Sequence, residues 1–355
     1  MKTPQKIISL LAGSALAAAT FLNAATTDPV GYVTIDVLAG SQTYVTVPLV
    51  PAATLSTALA SDPAVNGVTD ASLSFANAGV ANNSLVGTHF IRFTSGTREG
   101  HWYPITANTS DSVTIDLNGD DLSGVAATDT FQVNEYWTLA SLMPIGNAAI
   151  HESAGNLGFQ RETEVSLPDQ VSEGKNLSPT RIFFLKSTGW VEAVSGFPSA
   201  GDVVLAPDSF VIIQHPADKA NTKLVISGSV DTKALTVQIN TSTTIEQDNY
   251  VSVPRPVSMS LGQLGLIESG AFTASIGNLG FQRADELYLY DNTQVSEKKS
   301  ASRVFFVVGS EWREAVSGFP NVTNDIIIEP GDSFFIRKKA TVNGATAFWK
   351  NNPSY

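Results

Sequence analysis

The 355-residue sequence predicts an all-β protein of repeated small β-sandwich or barrel-like units, each with a short helix. Three observations carry that expectation. Apolar and polar residues alternate strictly in several short runs, rich in Val, Ile and Thr, as half-buried strands require. Gly and Pro, 27 and 17 residues, fall between those runs, where turns need them. Long motifs also recur at a constant spacing, the mark of duplicated structural units.

The elements follow in chain order. Lys2 and Lys6 precede an apolar stretch from Ile7 to Phe21, followed by small residues and the polar turn Thr26-Thr27-Asp28-Pro29. That order predicts a signal peptide over residues 1–25, cleaved near Ala24 or Ala25. The apolar run is shorter than the ~20 residues a spanning helix needs, so no membrane span is expected in the mature chain. The expected place is outside the cell or at its surface, with the periplasm as the alternative.

Three units are expected after the leader: an N-terminal β unit over 26–137, a second over 138–230, and a third with a C-terminal tail over 231–355. Alternation marks strands at Tyr32–Val37, Val113–Leu117 and Leu235–Ile239. Short helices are expected at Thr54–Leu59, Thr138–Leu142 and Ser260–Leu264, each opened by a Ser or Thr able to cap the first turn.

The repeat is most explicit in the second and third units. Gly-Asn-Leu-Gly-Phe-Gln-Arg at Gly155–Arg161 returns at Gly277–Arg283, and Glu-Ala-Val-Ser-Gly-Phe-Pro at Glu192–Pro198 returns at Glu314–Pro320. Arg181-Ile182-Phe183-Phe184 and Trp190 match Arg303-Val304-Phe305-Phe306 and Trp312 at the same offset. A weaker upstream echo runs through His89–Phe93, Trp102 and Asp129–Val133, and Tyr44–Pro48 matches Tyr250–Pro254.

Three segments carry a resemblance: Thr27–Tyr32, Phe93–Pro104 (Phe-Thr-Ser-Gly-Thr-Arg-Glu-Gly-His-Trp-Tyr-Pro) and Pro330–Arg337 (Pro-Gly-Asp-Ser-Phe-Phe-Ile-Arg). With them the chain resembles a family of uncharacterised exported bacterial proteins over nearly its whole mature length. The resemblance implies export and a repeated β architecture, and it transfers no functional residue.

Composition excludes several functions. The net charge of −12 gives no electrostatic footprint for a phosphate backbone, so no nucleic acid is expected as partner. Zero cysteines remove disulfides, thiol nucleophiles and thiolate metal sites. Ser195 and Ser317 lie in Val-Ser-Gly rather than in a nucleophile elbow, and no His recurs in register with them. The chain is therefore expected not to be an enzyme, with a divergent hydrolase as the remotest alternative.

Two candidate sites remain. Asp116, Asn118, Asp120 and Asp121 place side-chain oxygens as a calcium loop does, yet that loop also needs Gly and an acid where Asp121 and Ala127 stand. A hairpin turn is the competing reading, since Asn-Gly favours one strongly. Trp102, Trp190, Trp312 and Trp349 could stack on sugar rings, with Arg161 and Arg283 as polar candidates. The competing readings make the tryptophans core residues and the arginines register-fixing partners of carboxylates. The expected role is structural or adhesive, toward other envelope or extracellular proteins or toward glycans, and carbohydrate binding through the repeated Trp residues is the alternative.

Overall fold

The computed structural model describes residues 29–67, 69–252 and 255–354; the expected signal peptide lies outside them. Strands hold 41% of residues and helices 4%, so the chain is all-β. Among the described residues no helix is long and apolar enough to cross a membrane.

Three cores organise the chain. The first module joins residues 30–50 to residues 137–230. Its five-stranded sheet runs, edge to edge, Gly189–Glu192, Arg181–Lys186, Glu164–Leu167, Phe210–His215, Ser41–Thr46, all neighbours antiparallel. The antiparallel ribbon Val30–Val37 with Thr222–Ser229 covers one face. Ile35, Val37, Leu224 and Ile226 meet Val45, Phe183, Leu185 and Trp190 in the dry layer between them. Alternation explains this placement, because every second residue of a strand faces the same side.

The second module, residues 231–351, has the same order of elements. Its five strands are Glu311–Glu314, Arg303–Val308, Glu286–Leu289, Phe334–Lys338 and Gln247–Val251. Its ribbon pairs Leu235–Thr241 with Ala345–Asn351. Trp312 and Trp349 are the largest side chains of that core.

Residues 53–136 interrupt the first module as an insert with a core of its own. Their seven-stranded sheet is ordered Ala53–Ala58, Thr130–Glu135, His89–Phe93, Trp102–Asn108, Ser112–Asp116, Asp70–Ser74, Ala64–Asn66. Phe93, Phe131, Ile91 and Ile115 lie at its centre.

Three expectations are corrected here. Residues 30–50 pair with Phe210–His215 and Thr222–Ser229, so 26–137 does not form one sheet and its first strands belong with 138–230. The echo at His89–Phe93 lies in a sheet of different strand order, between Thr130–Glu135 and Trp102–Asn108. Thr54–Leu59 is no helix: Ala53–Ala58 is an edge strand, half its residues turned outward, because the backbone of Thr130–Glu135 supplies it with partners. A six-residue segment gains more from a sheet edge than from one isolated helical turn. The other two short helices form at Leu139–Leu142, capped by Thr138, and as a 3-10 turn at Leu261–Leu264.

The two modules meet through the outer faces of their five-stranded sheets. Tyr44, Phe210 and Ile212 of the first pack on Tyr250, Tyr290 and Phe335 of the second. Bonds across the interface come in matched pairs. The amide of Asn292 donates to Tyr44 O at 2.7 Å, and that of Gln170 to Tyr250 O at 2.9 Å. Gln42 N donates to Ser296 O at 2.9 Å and Asp248 N to Gly174 O at 2.8 Å. Each module thus lays its loop (169–177 or 291–299) along the other's exposed edge strand, satisfying the unpaired backbone groups that such an edge presents.

Candidate functional site

The insert, the first module and the second module converge at one junction, and a cleft opens there. The hairpin Phe93–Pro104 docks the insert on the second module. Thr236 N donates to Gly100 O at 2.9 Å and Thr236 Oγ1 to Glu99 O at 3.1 Å. Gly100 has φ +90°, and a Cβ there would lie 2.6 Å from Thr236 Oγ1, so only glycine permits this approach. Lys350 Nζ adds a bond to Glu99 Oε2 at 2.8 Å. Buried Arg92 of the insert pairs with Asp231, whose backbone carbonyl also accepts from Arg255 Nη1 at 2.7 Å.

The docking hairpin brings Trp102 to the cleft. Its indole N–H donates to Asp208 Oδ2 at 3.3 Å, and its ring sits edge-on to Phe90 and Tyr136. Asp208 stands in the turn before Phe210–His215, held by the bond from Ser209 N to Ala206 O. Burial pushes its carboxyl up to about 6, against the lowering effect of the indole N–H. Around this pair lie Asn118 of the insert, Gln170 of the first module, and Gln238 and Asn240 of the second. The cleft has a volume of about 190 Å³ and continues into a hollow of about 80 Å³ lined by His101, Tyr103 and Phe348. A half-buried indole, six side-chain amides and the carboxyls of Asp208 and Asp248 converge at this junction, a polar lining able to hydrogen-bond a hydroxyl-rich ligand.

Beside it lie the four residues of the calcium expectation, and they do not converge on a cation position. Asp116 Oδ1 accepts from Asn118 N at 2.9 Å, closing an Asx turn. Asn118 and Gly119 both have positive φ, 49° and 80°, and Asp120 N donates to Leu117 O, the tight turn Asn-Gly favours, although the strands it follows and precedes are not paired with each other. Asp120 Oδ2 accepts from Tyr103 OH at 2.6 Å and from His101 Nδ1 at 3.0 Å, while Asp121 pairs with Arg98. Burial alone would raise the Asp120 pKa, but the bonds from His101 and Tyr103 bring it below the usual range. Among the described residues no group of three or more His, Cys, Asp or Glu is placed to hold a metal.

Trp190 and Trp312 are 2% and 1% exposed, so neither ring has a face to offer a sugar. Trp190 Nε1 donates inward to Met143 O at 2.8 Å. Arg161 and Arg283 are engaged as well. Each donates through Nε to the carbonyl of Asn156 or Asn278, pairs with Glu164 or Glu286 at 3.1 or 3.0 Å, and lies over Phe184 or Phe306. Arg181 and Arg303 hold Glu192 and Glu314 through two bonds each, across adjacent strands. Of the aromatic and arginine candidates, Trp102 alone reaches a cleft.

Asp208 is not among the site residues that the sequence singles out. The repeated loops, which mark the duplication in the sequence, also carry exposed apolar side chains. In Gly155–Arg161, a Cβ on Gly155 would strike Gln160, and Gln160 and Arg161 bond the loop backbone. Phe159 and Phe281, by contrast, are 85% and 77% exposed and have no interior role. The signal was present in the sequence: two identical loops whose Phe has no polar alternation around it.

No protein-family model, curated protein or solved structure matches this chain.

Proposed function

We propose that this is an exported, non-enzymatic adhesive protein whose Trp102 cleft takes a neutral glycan. One observation carries the reading. Trp102 is the half-exposed tryptophan fixed by a carboxylate, in a cleft whose walls are mostly amides from three separate units. An indole face matches the C–H face of a sugar ring, while amides and a carboxyl match its hydroxyls. The basic and apolar order of residues 1–25 supports export, and the shared strand order of the two modules supports their origin as one duplicated unit. Titration of the full chain against a panel of neutral oligosaccharides tests the site. Binding that disappears in Trp102→Ala and survives in Trp190→Phe is expected; a panel without a single binder overturns it.

A second reading, adhesion to a protein surface, rests on Phe159 and Phe281. The two loops are identical in all seven residues, although Leu157, Phe159, Leu279 and Phe281 are exposed and free of packing constraint. The double variant Phe159→Ser, Phe281→Ser would then lose retention on envelope material while keeping glycan binding.

A further inference from the structure

The interface between the two modules is matched bond for bond at its edges and unmatched in one groove. That groove has a volume of about 380 Å³ and is lined by Tyr44, Tyr250, Tyr288, Tyr290, Lys298 and Lys299, among others. Tyr44 and Tyr250 are equivalent residues of the two modules. The other four have counterparts of different chemistry, because the 122-residue offset places Ser166, Pro168, Asn176 and Leu177 where the second module has Tyr288, Tyr290, Lys298 and Lys299. The backbone bonds show that the positions correspond: Tyr44 OH donates to Lys299 O at 3.1 Å as Tyr250 OH donates to Leu177 O at 3.3 Å.

Lys299 is the anomaly. It is 8% exposed, and its Nζ has no hydrogen-bond partner among the described residues. Asp291 is the charge that attracts it, against a burial that lowers its pKa. A buried ammonium with three unused donors destabilises a fold, and Leu177 demonstrates that the scaffold accepts an apolar residue at that position. Two lysines are also gathered here on a chain of net charge −12.

We propose that the groove binds a carboxylate-bearing sugar residue, its carboxylate meeting exposed Lys298 and drawing the shielded Lys299 ammonium out toward it, and its ring lying along Tyr288. The aromatic rings already stack on one another, Tyr44 on Tyr290 and Tyr288 on Phe335. Tyr44, Tyr250 and Tyr290 are buried and the Tyr44 and Tyr250 hydroxyls are engaged, so the ring edge at the groove mouth is that of half-buried Tyr288, and the stacked rings leave no slot for a flat aromatic ligand. Arg337, on the same face, is held by Asp248 through two bonds of 2.7 and 2.8 Å, so its planar fork is not open to a phosphate. The groove shares Tyr250 with the Trp102 cleft but neither Trp102 nor Asp208 lines it.

Calorimetric titration of the full chain with trigalacturonate tests the proposal. Saturable binding is expected, weakened at least tenfold in Lys299→Met, weakened by added salt, absent with neutral galactotriose, and unchanged in Trp102→Ala. Circular dichroism of Lys299→Met matching the wild type shows that the fold is intact. Absence of saturable binding to the wild type overturns the proposal. So does equal binding by Lys299→Met, equal binding of galactotriose, or loss of binding in Trp102→Ala, which would move the ligand to the other cleft.

Discussion

Tyr44 of the first module and Tyr290 of the second lie face to face, ring centroids 3.6 Å apart and planes within 10°. Both are buried, and burial pushes the Tyr44 hydroxyl up to about 12. The pair lies at the centre of the contact between the two five-stranded sheets, so it reports on how the modules hold together. A double-mutant cycle with Tyr44→Leu and Tyr290→Leu should give a coupling of about 0.5–1.5 kcal/mol, the range of aromatic pairs beyond their area. Chemical denaturation of the four proteins measures it, and additive effects would mean that the stack contributes nothing of its own.

Trp190 and Trp312 fill equivalent places in the two cores, on the inner face beside Leu185 and Val307. Truncating either to Ala should destabilise its module by roughly 3–5 kcal/mol, since both the buried area and the resulting cavity count against the fold. Thermal melts check this, and curves superimposing on the wild type would refute it.

The Asp208 carboxyl, raised to about 6 by burial, sits on the indole N–H of Trp102. Its ionisation should change the emission of that indole. We expect a fluorescence transition with a midpoint near pH 6, abolished in Asp208→Asn and in Trp102→Phe. A profile flat from pH 4 to 8 would argue against the shifted carboxyl.

His215 titrates in the opposite sense. Its ring is held between Thr163 Oγ1 and Thr222 Oγ1, with His151 at 4.8 Å, and burial followed by the His151 charge lowers its pKa to about 4. The unfolded chain then binds the proton first. Stability contributed by neutral His215 is complete above the ordinary value near 6.5 and is lost as pH falls toward 4, by about 2–3 kcal/mol. Asp208 and Asp332, both raised to about 6, work against this: the folded chain binds their protons first, so their contribution is lost as pH rises from 3.8 through 6. Denaturant midpoints at pH 7 and pH 4.5 should differ less for His215→Gln than for the wild type; an equal difference would sink the assignment.

Much of the fold was legible because alternation and turn residues are local signals. Val30–Val37 and Leu235–Thr241 could be read from their own side chains. Sheet membership was not local. Nothing in Ser41–Thr46 says that its neighbour is Phe210–His215 instead of a strand of the insert. Ala53–Ala58 was misread for the same reason, since its strand character comes from Thr130–Glu135. At the site, Trp102 was visible as an aromatic residue and Asp208 only as a turn residue, because their bond spans two units. Lys299 could have been found by a finer comparison of the two repeats, where it stands against Leu177.

The insert between Ser41–Thr46 and Trp137 has a consequence for how the chain reaches its folded state. Synthesis delivers the N-terminus first. Strands Val30–Val37 and Ser41–Thr46 emerge early, yet their partners lie at Phe210–His215 and Thr222–Ser229. The insert, whose sheet closes within residues 53–136, can collapse while those two strands still wait with bare edges. The second module closes its own sheets within residues 235–351, a shorter loop to close than the first module must. The first module is thus the slow folder of the three, and its two leading strands are the segment most in need of a chaperone during that interval.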